Sequence, residues 1–372
     1  MRINILIGIS VVALVCSCKP QVAPPRPTVA LVEAIAADTS GLGRLAATAG
    51  QNNVRGSVAL IGEPREGILL ARRFVTADRV DNIDGMARRD SLPDFAGEVF
   101  DVILDAYNAP YSHFFAGGPD KDARLDSLRT AAVQNAVFAW DSTCFRSASE
   151  LESRLIKSRA KVLVFTSAMQ AEYGLFDVDT LQQLTGGKSC LVSAMHTLLE
   201  EALESGARNL AVWTSRDVRV SQVWQKVFEQ MEVPDVTLAV ITPESAMDVR
   251  TEFRDVLRQY RTTGRVLDAL LIDSYSADLL PLQGEVAMIR QGGTDEDAAF
   301  GRMLSPDFLV LDAASSVVRG TYRLLRSQNL FTHRIARPFA RYYETAESPD
   351  GSPVLVEVGA SYVQNAYVSD ID

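Results

Sequence analysis

Histidine, cysteine and tryptophan are scarce: the 372 residues hold three His, four Cys and three Trp. His113, His196 and His333 stand far apart, and none has a second His or Cys three or four residues away. That spacing excludes a structural zinc site of the usual kind. Only Cys144 and Cys190 lie in the body of the chain, the other two being Cys16 and Cys18. Two thiols do not make a disulfide scaffold, so both are expected to be unpaired. Basic runs are missing as well. Lys and Arg total 37 against 47 Asp and Glu, a net charge of −10, and the densest basic stretches are the pairs Arg72-Arg73 and Arg88-Arg89. Neutralising phosphates needs clustered cations, so a nucleic-acid partner is excluded. The apolar run INILIGISVVALV near the start is too short to span a bilayer.

That run has the length of a signal core instead. Arg2 precedes it and small residues follow, so residues 1–18 are expected to be a secretory signal. Its end, Val15-Cys16-Ser17-Cys18, resembles a bacterial lipobox, which implies Cys18 as the lipid acceptor; Val15 makes Cys16 the poorer acceptor. The proline-rich KPQVAPPRP that follows suits a tether, and residues 19–50 are taken as tether and N-terminal extension. The protein is thus expected in the cell envelope, lipid-anchored to the periplasmic face of the outer membrane, with the membrane as one partner and a transporter or envelope protein as another.

From residue 51 onward, apolar runs alternate with helical patterns. SVALIG, VFDVIL, KVLVFTSA, NLAVWTS, VTLAVITP, VLDALLIDS and DFLVLDA read as strands. Between them, VSQVWQKVFEQM and the stretch with Phe253, Val256, Leu257 and Tyr260 carry apolar stripes at helical spacing. CLVSAMHTLLEEALESGA is expected to be one amphipathic helix closed by Gly206, and the stretch from Ser149 to Ala160 another. MQAEYGLFDVDTLQQLTGGKS is expected to be a loop. Strands about 30 residues apart and joined by helices imply parallel sheets with right-handed crossovers. The expected class is α/β: two Rossmann-like lobes with parallel sheets, over 51–175 and 176–335, plus a C-terminal β-hairpin and tail over 336–372.

The order of these elements resembles the type I periplasmic-binding-protein fold of sugar and nucleoside receptors and LacI-type regulators. The resemblance rests on SAMHTLLEEALESGARNLAVWTS, VSQVWQKVFEQM and LDALLIDSYSADL. It implies a small polar solute, sugar-like or nucleoside-like, held in an interlobe cleft, with no catalysis and no cofactor. An aspartate/glutamate-racemase-like enzyme would show similar alternation. The alternatives are therefore an envelope hydrolase or racemase-like enzyme using carboxylates or a cysteine, and a surface lipoprotein used for protein contacts.

Candidate residues follow from the strand ends, because open parallel sheets bind ligands outside the carboxyl ends of their strands. They are Arg65, Tyr107, Asn108, Thr166, Ser167, Trp213, Arg216, Asp273 and Tyr275. Trp213 is expected to face the solute, with Trp140 and Trp224 on helix faces. TGGKS at 185–189 is not a phosphate loop, since Gln182 stands where that motif needs glycine. The acidic passage 76–98 could bind a divalent cation, but its interleaved arginines favour a charge-mixed surface loop, and no metal site is expected.

Overall fold

A computed structural model describes residues 27–51, 54–81, 86–244, 248–332, 334 and 336–368. The expected signal, Cys18 and most of the tether lie outside the described residues, as do Asp84 and His333. Among those described, no helix is long and apolar enough to cross a membrane.

The chain opens with helices α1 (Ala30–Ala37) and α2 (Leu42–Ala47), then runs through β1 (Ser57–Gly62), α3 (Pro64–Val75) and β2 (Val99–Leu104). A short 3-10 turn at Tyr111–Phe115 leads to α4 (Lys121–Trp140), β3 (Thr143–Phe145), β4 (Arg154–Ile156) and β5 (Ala160–Phe165). Next come α5 (Ala168–Thr185), β6 (Cys190–Ser193) and α6 (Ala194–Glu204). A second series follows: β7 (Asn209–Trp213), α7 (Arg216–Ser221), α8 (Val223–Gln230), β8 (Thr237–Ile241), α9 (Val249–Arg261) and β9 (Leu267–Ile272). It continues with α10 (Leu279–Gln291), α11 (Asp295–Met303), β10 (Leu304–Asp312) and α12 (Ala313–Ser327). The chain ends in β11 (Phe339–Glu347), β12 (Pro353–Val358) and α13 (Ala360–Tyr367).

The class is α/β with two Rossmann-like lobes. One sheet has the order β4-β3-β12-β11-β2-β1-β5-β6 and the other β10-β9-β7-β8. The ladders β2-β1-β5-β6 and β8-β7-β9-β10 are parallel throughout. Each series therefore places its first strand between its second and third. The C-terminal hairpin is present: β11 pairs antiparallel with β12 and parallel with β2, so it extends the first sheet. The first sheet thus takes β6 from the stretch expected in the second lobe, and its hairpin from the tail.

Three apolar clusters hold the layers together. One covers a face of the first sheet through Ala59 and Ile61, under α1, α2, α4 and α5. Another covers the outer face of the second sheet through Ala211, Leu270 and Ile272, under α9 and α10. The third is continuous between the lobes. It joins Val58 and Leu60 of β1 to Leu210 and Val212 of β7 by way of Phe74 (α3), Leu198 (α6), Trp224 (α8) and Val317 (α12).

Several local expectations are corrected. The 168–185 stretch is a helix, and Gln170, Glu172, Asp177 and Gln182 on it are buried alongside Ala171, Val178 and Leu181. With only Gln183 and Leu184 in its last turn exposed, the helix shows no polar stripe, so the sequence lacks the amphipathic signal. Its buried Asp177 is matched by Arg129 at 2.7 Å. Cys190–Ser193 is a strand and not the start of the following helix; Ser193 caps that helix by accepting from the His196 N–H. The helix expected from Ser149 is absent, and its apolar residues form edge strand β4. After β12 the tail turns into α13. Gly206 closes α6 with φ +91, as its position suggested.

Cys144 and Cys190 are both free. They lie on strands six ladder steps apart, a separation on the order of 29 Å at ~4.8 Å per step, which no disulfide spans.

Candidate active site

Each series turns back on itself at its first strand, and this places the chemistry. After β1 the chain crosses by α3 on the interlobe face, while after the adjacent β5 it crosses by α5 on the opposite face. In the second sheet the crossovers that leave β7 and β9, by α8 and α10, diverge likewise onto opposite faces. Diverging crossovers open a crevice at the carboxyl ends of the two central strands, the usual ligand position in such sheets. Both crevices are lined by polar side chains, and they meet.

On the first sheet, β1 ends at Gly62, where an added Cβ would lie 2.0 Å from Thr166 Oγ1. Only glycine lets the ends of β1 and β5 approach so closely. Glu63 is the N-cap of α3 and Glu66 stands in its first turn, with Pro64 between. Glu63 Oε1 accepts the Tyr111 N–H at 2.9 Å. Burial raises its carboxyl despite that bond, with Asp105 and Asp217 adding to the shift. Glu66 Oε2 is shut away with no hydrogen-bond partner. Burial, then the charges of Glu63 and Asp273, raise the Glu66 carboxyl well above its ordinary value.

At the end of β2, fully buried Asp105 collects four donors. Oδ2 accepts from the Tyr111 hydroxyl at 2.8 Å and the Asn135 amide at 2.7 Å. Oδ1 accepts from the Asn108 amide at 2.8 Å and the Thr345 hydroxyl at 2.9 Å. Tyr111, pinned through its ring hydroxyl, is therefore the residue that presents its N–H to Glu63, and the C-terminal hairpin supports the site through Thr345.

The second lobe contributes Asp273 and Tyr275, just past β9. Asp273 Oδ2 accepts from the Thr214 hydroxyl and from Trp224 Nε1, each at 2.8 Å. Burial raises this carboxyl against both bonds. Tyr275 is 5% exposed and donates its hydroxyl to the Thr166 carbonyl across the lobes. The Lys226 ammonium from α8 likewise donates to the Tyr173 hydroxyl of α5, and the Gln230 amide to Glu172 at 3.0 Å. Asp273, from the second lobe, thus lies close enough to Glu66 of the first for its charge to raise the Glu66 carboxyl.

The residues picked from the sequence divide into four groups. Thr166, Ser167, Asp273 and Tyr275 meet at the interlobe contact. Tyr107 and Asn108 lie beside it in a depression of about 310 Å³ against α4 and Pro353, where the Tyr107 hydroxyl donates to the Gly351 carbonyl. Arg65 and Arg216 are exposed. Trp213 is at the expected end of its strand, since the Asp273 N–H donates to its carbonyl at 2.9 Å. Its ring, however, packs with the outer-face cluster, because alternation puts Ala211 and Trp213 on the side opposite Val212. The tryptophan that touches Asp273 is Trp224, which was expected on a helix face away from the site.

Glu66, Tyr111 and Gln170 were missed because they lie beyond the strand ends. A usable signal existed for one: Ser167-x-x-Gln170 is the spacing of a capping box. The acidic passage is a charge-mixed loop, with Asp94 accepting the Arg79 and Val80 N–H groups and Asp81 paired with Arg88. Among the described residues no three His, Cys, Asp or Glu are grouped to hold a metal ion.

No family model and no curated protein matches the chain. Among solved structures it is similar to a glutamate racemase from Bacillus anthracis, at 12% identity over 78% of this chain and 89% of that one, with a TM-score of 0.48. It is similar also to the glutamate racemase from Francisella tularensis in complex with D-glutamate, at 12% identity over 80% and 91% with a TM-score of 0.48. A third is an aspartate racemase homologue from Pyrococcus horikoshii, at 13% identity over 73% and 99% with a TM-score of 0.38. These neighbours are enzymes and not sugar receptors, which corrects the periplasmic-binding resemblance and the expectation of a non-catalytic solute carrier. They give no support to a lipoprotein, a membrane anchor or a transporter partner. The lobes meet through Tyr275 and Thr166, with raised carboxyl groups beside the contact, where a solute was expected in an interlobe cleft.

Proposed function

We propose that this protein is an enzyme that moves a proton on a small polar substrate enclosed between its lobes, with Glu66 and Asp273 as the acid and base. The observation that carries this reading is the Glu66 carboxyl, one oxygen buried without a partner and its proton affinity raised by burial and by like charges from both lobes. Strongly perturbed carboxyl groups facing a crevice are what general acid–base chemistry near neutral pH requires. Two such groups on opposite lobes could act on opposite sides of one carbon, one removing a proton while the other supplies it. Glu63, held by the Tyr111 N–H, adds to the upward shift at Glu66. The cysteine form of the enzyme reading is not favoured. Burial pushes the Cys144 thiol up to about 11 on a strand far from the crevice, and Cys190 begins β6 at the end away from the strand's carboxyl terminus.

The test is exchange of substrate carbon-bound hydrogen for solvent deuterium, followed by mass spectrometry over a panel of small hydroxy acids and amino acids, glutamate and aspartate included. An exchanged compound should lose about 10²–10⁴-fold in rate in Glu66→Gln. Exchange undiminished in both Glu66→Gln and Asp273→Asn would overturn the reading.

A stability profile follows from the same group. With a folded-state value above its ordinary 4.5, Glu66 contributes stability that is fully present below pH 4.5 and is lost as pH rises through the folded value. Glu66→Gln keeps the neutral form, so its thermal midpoint should fall less between pH 5 and pH 8 than that of the parent protein. Parallel profiles would show that Glu66 ionises normally.

A further inference from the structure

Helix α5 starts at the carboxyl end of β5 with an N-cap that is not made. Ser167 occupies the cap position, but its side chain accepts no hydrogen bond from the first turn. Gln170 stands three residues on, so the pair has the capping-box spacing, in which each side chain satisfies a backbone N–H of the other residue. Neither does so here. Ser167 Oγ and both amide atoms of Gln170 have no partner, although the residues are 1% and 0% exposed. Several helices of the second series carry a side-chain cap, Ser215 on α7, Asp248 on α9, Asp278 on α10 and Asp312 on α12, whereas α3, α4 and α8 have none.

Leaving three buried polar atoms unpaired is costly, and the same two residues could have satisfied one another. The helical ladder begins with the Ala171 N–H bonded to the Ser167 carbonyl. The N–H groups of Ala168, Met169 and Gln170 precede that first bond and point out of the helix end. Helical side chains lean toward the N-terminus, so the Gln170 amide lies over this same turn. The helix spans Ala168–Thr185, long enough to present a substantial positive end. Beside it stand Gly62, which lets β1 come close, and Thr166, whose carbonyl receives Tyr275 from the other lobe.

We propose that the α5 N-terminus, with Ser167 Oγ–H and Gln170 Nε2 as side-chain donors, is the seat of an oxyanion group of the substrate, a carboxylate or a phosphoryl group. This deepens the enzyme reading and rests on it for the identity of the bound molecule as substrate. The anion takes the place of the missing cap, accepting from the free N–H groups and the two side chains at once. The same arrangement orients the substrate's reacting carbon toward Glu66 and Asp273, and the Tyr275 contact shuts it from water.

The test uses the full chain and two probes, acetate and inorganic phosphate, titrated against chloride at matched ionic strength while the thermal midpoint is followed. At least one oxyanion should stabilise the parent protein saturably where chloride does not. The one that saturates at lower concentration identifies the source of the group. Gln170→Leu removes the unpaired amide, so the ligand-free midpoint should hold or rise by roughly 1–4 °C, while the dissociation constant for the oxyanion rises at least about tenfold. Ser167→Ala should act in the same direction. A fall in the ligand-free midpoint of Gln170→Leu together with unchanged oxyanion binding would mean that Gln170 is structural, and absence of saturable binding by both anions would equally sink the proposal. Because the readout is binding, a chain that takes the oxyanion yet exchanges no proton refutes the acid–base reading alone.

Discussion

Lys161→Met is expected to destabilise the protein by about 3–5 kcal/mol, the cost of stranding a buried charge. Lys161 and Glu98 form an ion pair at 2.7 Å with both side chains fully buried. The ammonium also donates to the Val54 carbonyl at 2.9 Å and the Leu330 carbonyl at 2.6 Å, which uses all three of its N–H groups. Glu98 Oε1 in turn accepts the Thr332 N–H at 2.8 Å. Burial moves both groups against their charged forms, raising the Glu98 carboxyl and lowering the Lys161 ammonium, so each depends on the other. The pair joins the entry of β2, the start of β5, the loop before β1 and the exit of α12, at the sheet end opposite the candidate site. Chemical denaturation should show the loss as a lower midpoint. The double variant Lys161→Met, Glu98→Leu should regain much of it, because two apolar side chains leave no charge uncompensated. A single variant within about 1 kcal/mol of the parent would show that water reaches this pair.

The strands were legible because parallel strands covered on both faces are continuous apolar runs, and SVALIG, KVLVF and LDALLI each read that way. The elements that escaped are those whose signal tertiary packing erases. Helix α5 is covered along most of its length, so Asp177 and Gln182 are buried with partners and Gln170 without one. Strand β6 is four residues long and merges in the sequence with the apolar face of α6. The strand-end rule found Thr166, Ser167, Asp273 and Tyr275 because it depends only on where strands stop. It could not give the side of the sheet on which a terminal residue points, and one step of alternation sends Trp213 outward. Nor could it reach Glu66 and Gln170, which enter the crevice from the first turn of the following helices. The interlobe contacts, such as Tyr275 on Thr166, that set Asp273 near Glu66 are long-range, and a single sequence holds no local sign of them.

Asp105→Leu is the second variant with a large expected effect, and it acts at the site itself. The substitution leaves the Tyr111 hydroxyl, the Asn135 and Asn108 amides and the Thr345 hydroxyl without their common acceptor. Each buried donor left unpaired costs roughly 1–3 kcal/mol. Partial repair by water at Asn108, which borders the surface depression, should hold the total to about 3–5 kcal/mol. The Leu side chain is close to Asp in size, so lost hydrogen bonds and not a cavity dominate. Asp105→Asn is the informative companion. It keeps the shape and one acceptor oxygen but turns the other position into a donor that meets donors already there. It should therefore also destabilise, by less. Tyr111 is the link to function: once its hydroxyl is released, its N–H no longer holds Glu63 in place beside Glu66. In the folded fraction of Asp105→Asn, deuterium exchange should fall, and Thr345→Val, which removes a single donor at the hairpin, should fall less. If Asp105→Asn unfolds no more readily than the parent and exchanges at the parent rate, the four-donor cluster is neither a stabilising element nor the support of the glutamates.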